Sequence, residues 1–75
     1  MKQQWVDNVK LHVLVERDGY KCQICGRFVD MKLEGTDINN APSIDHIIPL
    51  SKGGEHSYRN TQLAHHLCNT RKNDN

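Results

Sequence analysis

The stretch IDHIIPLSKGG (residues 44–54), followed directly by EHSYRNTQLAHHLCNTRK (residues 55–72), decides how this chain is read. It holds, in order, an Asp-His pair inside an apolar run, a Gly-Gly turn, a lone Asn, and a His-x-x-Cys-Asn cluster leading into two cations. Cleaving a phosphodiester needs a base to activate water, a metal to neutralise charge on the phosphate, and groups that hold both in line. One His, one Asp and one Asn supply that set. An imidazole with a pKa near ~6.5 suits the base, while a carboxylate and an amide oxygen are hard ligands suited to Mg²⁺ or Mn²⁺. His46 is therefore expected to be the base, and Asp45 and Asn69 to be ligands of a catalytic Mg²⁺ or Mn²⁺.

Taken together, SIDHIIPLSKGG, Asn60 and LCNTRK resemble the HNH endonucleases, whose ββα-metal unit also forms the HNH domain of the RNA-guided CRISPR nuclease. The Cys22-Gln23-Ile24-Cys25-Gly26 stretch resembles their zinc-binding variety, of bacterial and bacteriophage type. The likeness extends over about residues 14–73, and it rests on four motifs in the family's order rather than on any one. It implies a small α+β fold, the ββα-metal domain, and DNA as partner. Hydrolysis would leave 5′-phosphate and 3′-hydroxyl ends. By the same resemblance Asn60 does not touch the metal; its side chain bonds backbone across the loop and fixes where His46 points. An N-cap for the following segment is the plainer reading of Asn60.

Seventy-five residues make one small domain, residues 1–75, with little interior to bury. Such a chain needs a staple. Three cysteines cannot all pair within one chain, and neither a signal peptide nor a transmembrane run is present, so a reduced, cytoplasmic setting and metal binding are expected rather than disulfides. Cys22-x-x-Cys25 supplies two thiolates, with Gly26 permitting the turn. His65 and Cys68 are three apart, on one side of a helix, and complete a Cys₃His site for structural Zn²⁺. The commoner family pattern has a second Cys-x-x-Cys where this chain has His65. His66 remains a rival ligand, and it also lies near the face of Asn69. A redox role for the Cys-x-x-Cys lacks a surrounding βαβ pattern.

Around this centre, Trp5, Val9 and Val13, with Val6 and Leu14 beside them, fit one face of a helix from Gln3 to Arg17, stopped by Asp18-Gly19. It would cover the apolar side of a small sheet. Residues 30–43, with Gly35, Asn39-Asn40 and Pro42, read as a solvated connector. Ile44 to Leu50 reads as the first strand of a hairpin turning at Gly53-Gly54, Gln62 to Ala64 as the second, and His65 to Lys72 as a short helix. On that helix Cys68 and Asn69 project about 100° apart, so one can face zinc and the other the catalytic ion. Successive residues of a regular strand point to opposite faces, so irregular backbone is expected at Asp45-His46. His12 and His56 have no such context and are expected at the surface.

A net charge of +1 says little about nucleic acid. Between His46 and Asn73, however, Lys52, Arg59, Arg71 and Lys72 stand against Glu55 alone, and Arg71 and Lys72 are candidate phosphate contacts. The expected activity is metal-dependent DNA cleavage, one strand at a time, by His46, Asp45, Asn60 and Asn69. The competing expectation is a catalytically inactive zinc module that binds nucleic acid or protein. Such a module requires the cysteines and His65 but not Asp45-His46, Asn60 or Asn69.

Overall fold

The computed structural model describes residues 3–73. Two five-residue strands, β1 (Pro42–His46) and β2 (Thr61–His65), pair antiparallel with Ile44 opposite Leu63 and Asp45 opposite Gln62. Helix α1 (Leu11–Arg17) precedes them, and β2 runs without a break into α2 (His66–Asn73). Two strands alone are marginal, and both helices pack against them. Val15 of α1 meets Cys22, Val29, Leu63 and Ala64, with Leu11, Met31 and Cys68 packed at the margin. At roughly 1.5–3 kcal/mol per fully buried aliphatic side chain, so small a cluster leaves a narrow margin over the entropy of the ordered chain. Among the described residues no helix is long and apolar enough to cross a membrane.

The helix expected from Gln3 begins only at Leu11. Ahead of it the chain is drawn out by the backbone of the loop before β2. Val6 and Asp7 N–H both donate to the His56 carbonyl at 3.0 Å, His56 N–H donates to the Gln4 carbonyl, and the Asp7 carboxylate accepts from Tyr58 N–H at 3.0 Å. The Trp5, Val9, Val13 spacing is thus no helical stripe: Trp5 stacks on the His56 ring, Val9 is buried and Val13 is exposed.

β1 stops at His46 instead of reaching Leu50. Beyond it, Ile47 N–H donates to the Asn60 carbonyl at 2.8 Å and the chain bends past Pro49 into a short 3₁₀ turn at Leu50–Lys52. Gly53 follows at φ +86°, and any side chain on Gly54 would collide with the Ile48 carbonyl. The backbone at Asp45-His46 is regular, contrary to expectation, with Asp45 paired to Gln62 and His46 to Thr61. The two side chains therefore lie on opposite faces. His65 ends β2 rather than starting a helix, so His65 and Cys68 meet across a strand–helix junction. The expected connector 30–43 ends at Ala41, because β1 begins at Pro42 rather than Ile44, and it closes against that junction: His66 N–H donates to the Ala41 carbonyl at 2.8 Å and Leu67 N–H to the Asn39 carbonyl at 3.1 Å, satisfying amides that a helix start leaves free.

The open edge of β2 is covered by the end of α1. Arg17 donates from Nε to Asp18 Oδ1 at 2.8 Å and from its terminal nitrogens to the Thr61 and Tyr58 carbonyls at 2.8 and 2.9 Å, while Asp18 Oδ2 accepts Leu63 N–H at 2.9 Å. Gln23 N–H takes the Leu63 carbonyl at 2.8 Å. Burial works to raise the Asp18 pKa, but the Arg17 guanidinium and Leu63 N–H outweigh it and hold the carboxyl below its usual value. A depressed folded-state pKa stabilises the fold above the unfolded value, and that stabilisation is lost as pH falls through the folded one. Replacing Asp18 by Ala should cost about 1–3 kcal/mol at neutral pH. Urea midpoints should show the gap between parent and variant constant from pH 7 to 5 and narrowing only below pH ~4. A gap that closes already by pH 5.5 would assign the effect to another group.

Candidate active site and zinc centre

The knuckle is built by backbone. Gly26 adopts φ +82°, its N–H donates to the Cys22 carbonyl at 2.8 Å, and Cys22 N–H donates to the Arg27 carbonyl at 2.8 Å. This turns Cys22 and Cys25 toward the β2–α2 junction, where the ligand atoms of Cys22, Cys25, His65 and Cys68 all lie within 4.8 Å of one another. That spacing suits a tetrahedral site. His65 is oriented for it: Nε2–H donates to the Phe28 carbonyl at 2.9 Å, which leaves the Nδ1 lone pair 3.3 Å from Cys25 Sγ and 3.8 Å from Cys68 Sγ. His66 is not among the four. The sulfurs also resist joint ionisation. Burial, with Cys22 and Cys25 beside it, pushes the Cys68 thiol up to about 12; at Cys22 burial is outweighed by the backbone N–H groups of Cys25, His65 and Ile24, and the value falls to about 7. Three thiol groups so crowded and so unequal fit a cation that offsets their combined charge, and the Cys₃His set is a zinc-binding site.

A second centre lies where β1 ends. One side chain, Asn60, clamps the connecting loop: Nδ2 donates to the Ile48 and Glu55 carbonyls at 3.1 and 2.7 Å, and Oδ1 accepts Ile48 N–H at 3.0 Å. The loop so fixed carries His56 to His46, with His56 Nδ1 2.9 Å from His46 Nε2. Burial, the neighbouring His56 and Lys72 together lower the His46 pKa against the opposing pull of Asp45.

On the opposite face, Asp45 is fully buried. Gln62 Nε2 donates to its Oδ2 at 2.8 Å, and Lys72 Nζ lies 3.1 Å from both carboxylate oxygens, 2.7 Å from the His46 carbonyl and 3.1 Å from that of Ile47. Asn69, one turn back on α2, donates from Nδ2 to Ser43 Oγ and the Ile44 carbonyl at 2.9 and 3.0 Å, and its Oδ1 accepts from Asn73 at 2.8 Å. The carboxylate and two carbonyls form an all-oxygen set of the type hard cations take, and in this structure an ammonium sits in it.

A family model described as HNH endonuclease matches residues 22–75. The chain belongs to the HNH endonuclease family. No curated protein and no solved structure matches it.

Set against that family, the sequence-derived residues fall into two groups by where the fold puts them. Cys22, Cys25, His65 and Cys68 come together, while Asn60 spans the HNH loop and Cys68 and Asn69 point to different neighbours. Asp45 of β1 and Asn69 of α2 both lie where α2 packs on β1, yet no hydrogen bond joins them among the described residues. Two expectations are corrected. His56 is not a surface residue but buried, because the ring is held between Trp5 and His46; His12 is exposed as expected. Lys72 is no free phosphate contact, since its ammonium is bound to Asp45, whereas Arg71 remains exposed. Nothing in local spacing signals either pairing, for His56 and Lys72 lie 10 and 27 residues from their partners.

Two measurements follow from these contacts. Cys68→Ser should lose zinc and most of the cooperative melting transition, whereas His66→Ala should keep both; a Cys68→Ser protein melting like the parent would remove the site from the stability argument. Lys72→Met should cost about 1–3 kcal/mol by leaving a buried carboxylate with Gln62 alone, and adding Asp45→Asn should recover part of the loss. Equal stability of parent and Lys72→Met would mean the pair contributes nothing net.

Proposed function

We propose that the chain is a divalent-metal-dependent DNA endonuclease, with His46 as general base, Asn60 as the residue that positions it, and Asp45 and Asn69 as holders of Mg²⁺ or Mn²⁺. The observation that carries the proposal is the three-bond clamp of Asn60 on the backbone of the loop that leaves β1 directly after His46. A purely zinc-binding module has no need of that device.

His46 accepts a proton from water as it attacks phosphorus, and the bond to the 3′ oxygen breaks, that oxygen taking a proton from solvent, so the ends are 5′-phosphate and 3′-hydroxyl. The metal, when bound, neutralises charge on the phosphate and the departing oxygen. With Asp45 and His46 on opposite faces of a regular strand, the phosphate would lie across the strand end, where β1 stops and the His46 and Ile47 carbonyls turn toward α2. One site cuts one strand, so a nick is the expected product. DNA is the proposed partner, and Lys52 and Arg71 are exposed cations that form no ion pair among the described residues.

A second reading is favoured by one observation. Lys72 already occupies the oxygen set at Asp45, as it would in a catalytically inactive zinc module that binds nucleic acid or protein. Supercoiled plasmid separates the two. The nuclease should convert it to open circle in Mg²⁺ or Mn²⁺ and not in EDTA, and His46→Ala should lower that rate about 10²–10⁴-fold while keeping zinc and melting temperature. Asn69→Ala should weaken the response to Mn²⁺ instead. Cleavage by His46→Ala at the parent rate would leave the inactive module as the better account.

A further inference from the structure

His56 is the most constrained histidine outside the zinc centre. Only 7% of it is exposed, and it is held from three sides. Its backbone is paired with the segment before α1, through Val6 and Asp7 N–H on its carbonyl and its own N–H on the Gln4 carbonyl. Its ring lies flat on the Trp5 indole, with centroids 3.7 Å apart and planes at 13°. Its Nδ1 is 2.9 Å from His46 Nε2. Glu55, the residue before it, has its carbonyl bound by Asn60. Burying an imidazole and committing an N-terminal arm to it, an arm outside the residues the family model matches, does not serve the zinc site or the core cluster.

A hydrogen bond between two neutral imidazoles carries one proton, and its direction decides what His46 can do. If His56 Nδ1–H donates, His46 keeps its own proton on Nδ1 and both its nitrogens are committed. If His46 Nε2–H donates, its Nδ1 carries a free lone pair, and among the described residues no group bonds that nitrogen. We propose that His56 is a positioning residue for His46: held on Trp5, its Nδ1 accepts the Nε2 proton of His46, fixing the ring and the tautomer in which His46 Nδ1 is the basic atom. This rests on the nuclease reading of His46. The N-terminal arm then acts as a buttress for the base, through stacking and backbone pairing rather than through contact with substrate.

Two substitutions in the full chain separate acceptor from packing. His56→Phe keeps a ring on Trp5 but offers no acceptor; His56→Asn places Oδ1 near the position of Nδ1 and restores one. In plasmid nicking with Mn²⁺, His56→Phe should lower kcat about 10–100-fold with KM within about 2-fold of the parent, and His56→Asn should recover most of the loss. Zinc content and melting temperature should hold in both. Imidazole ¹⁵N chemical shifts above pH 8 should show parent His46 wholly as the Nε2–H tautomer, and a mixture in His56→Phe. A His46 proton on Nδ1 in the parent overturns the proposal whatever the activity. If His46→Ala is inactive while His56→Phe cleaves like the parent, the positioning role falls and the nuclease reading stands. A parent that does not nick under any divalent metal overturns both.

Discussion

Convergence of four ligand atoms at one strand–helix junction is the constraint on which the rest of this molecule depends. Cys22 and Cys25 come from a loop outside the helices and strands, and His65 and Cys68 come from the last residue of β2 and the first turn of α2. Burial, and then the neighbouring Cys22 and Cys25, keep Cys68 from ionising readily unless a cation is shared. With one, the knuckle, the sheet and α2 become a single body. The hydrophobic cluster is laid around the same point, with Cys22 in its centre and Cys68 at its margin, so burial and metal binding reinforce one contact rather than two.

That shared origin explains how a fold this small can hold a second, oxygen-rich centre. α2 leaves the zinc site carrying Cys68, and the next residue, Asn69, already faces β1, with Lys72 one turn further over Asp45. A helix anchored at its first turn by a metal site and by the Ala41 and Asn39 carbonyls has little freedom to slide. The positions of Asn69 and Lys72 over β1 are consequences of that anchoring. Stability and site geometry are thus carried by adjacent residues of one eight-residue helix.

How much of this was legible in the sequence depended on the range of each interaction. The Cys-x-x-Cys knuckle and the His-x-x-Cys pair follow from short spacings and turn chemistry, the Asn60 loop clamp from the family resemblance, and the structure shows all three arrangements. Long-range pairings carried no such signal. Trp5 repeats with Val9 and Val13 at helical spacing, but backbone pairing with the loop at His56 overrides that periodicity, and the same pairing draws His56 out of solvent. Alternation along a strand lets Asp45 and His46 reach one phosphate only through distortion or across the strand edge, and irregular backbone is the expectation. Instead the strand stays regular and the two side chains recruit separate partners, His56 on one face and Lys72 on the other.

Long-range pairing also divides the cations that follow His46. An excess of cations after His46 looks like a phosphate-binding surface until each is placed: Arg59 forms a pair with Glu55 four residues back, and Lys72 turns inward to a carboxylate that precedes the counted stretch. The two ion pairs differ in kind. Arg59 is solvent-exposed and its pair contributes little, whereas Asp45 has no access to water and its charge must be met by Gln62, Lys72 or another cation. That requirement makes the oxygen set at the end of β1 a seat for positive charge, taken in this structure by the Lys72 ammonium. Whether ammonium or a divalent ion takes it, the carboxylate that demands the cation and the carbonyls that receive it are fixed by the ending of one strand.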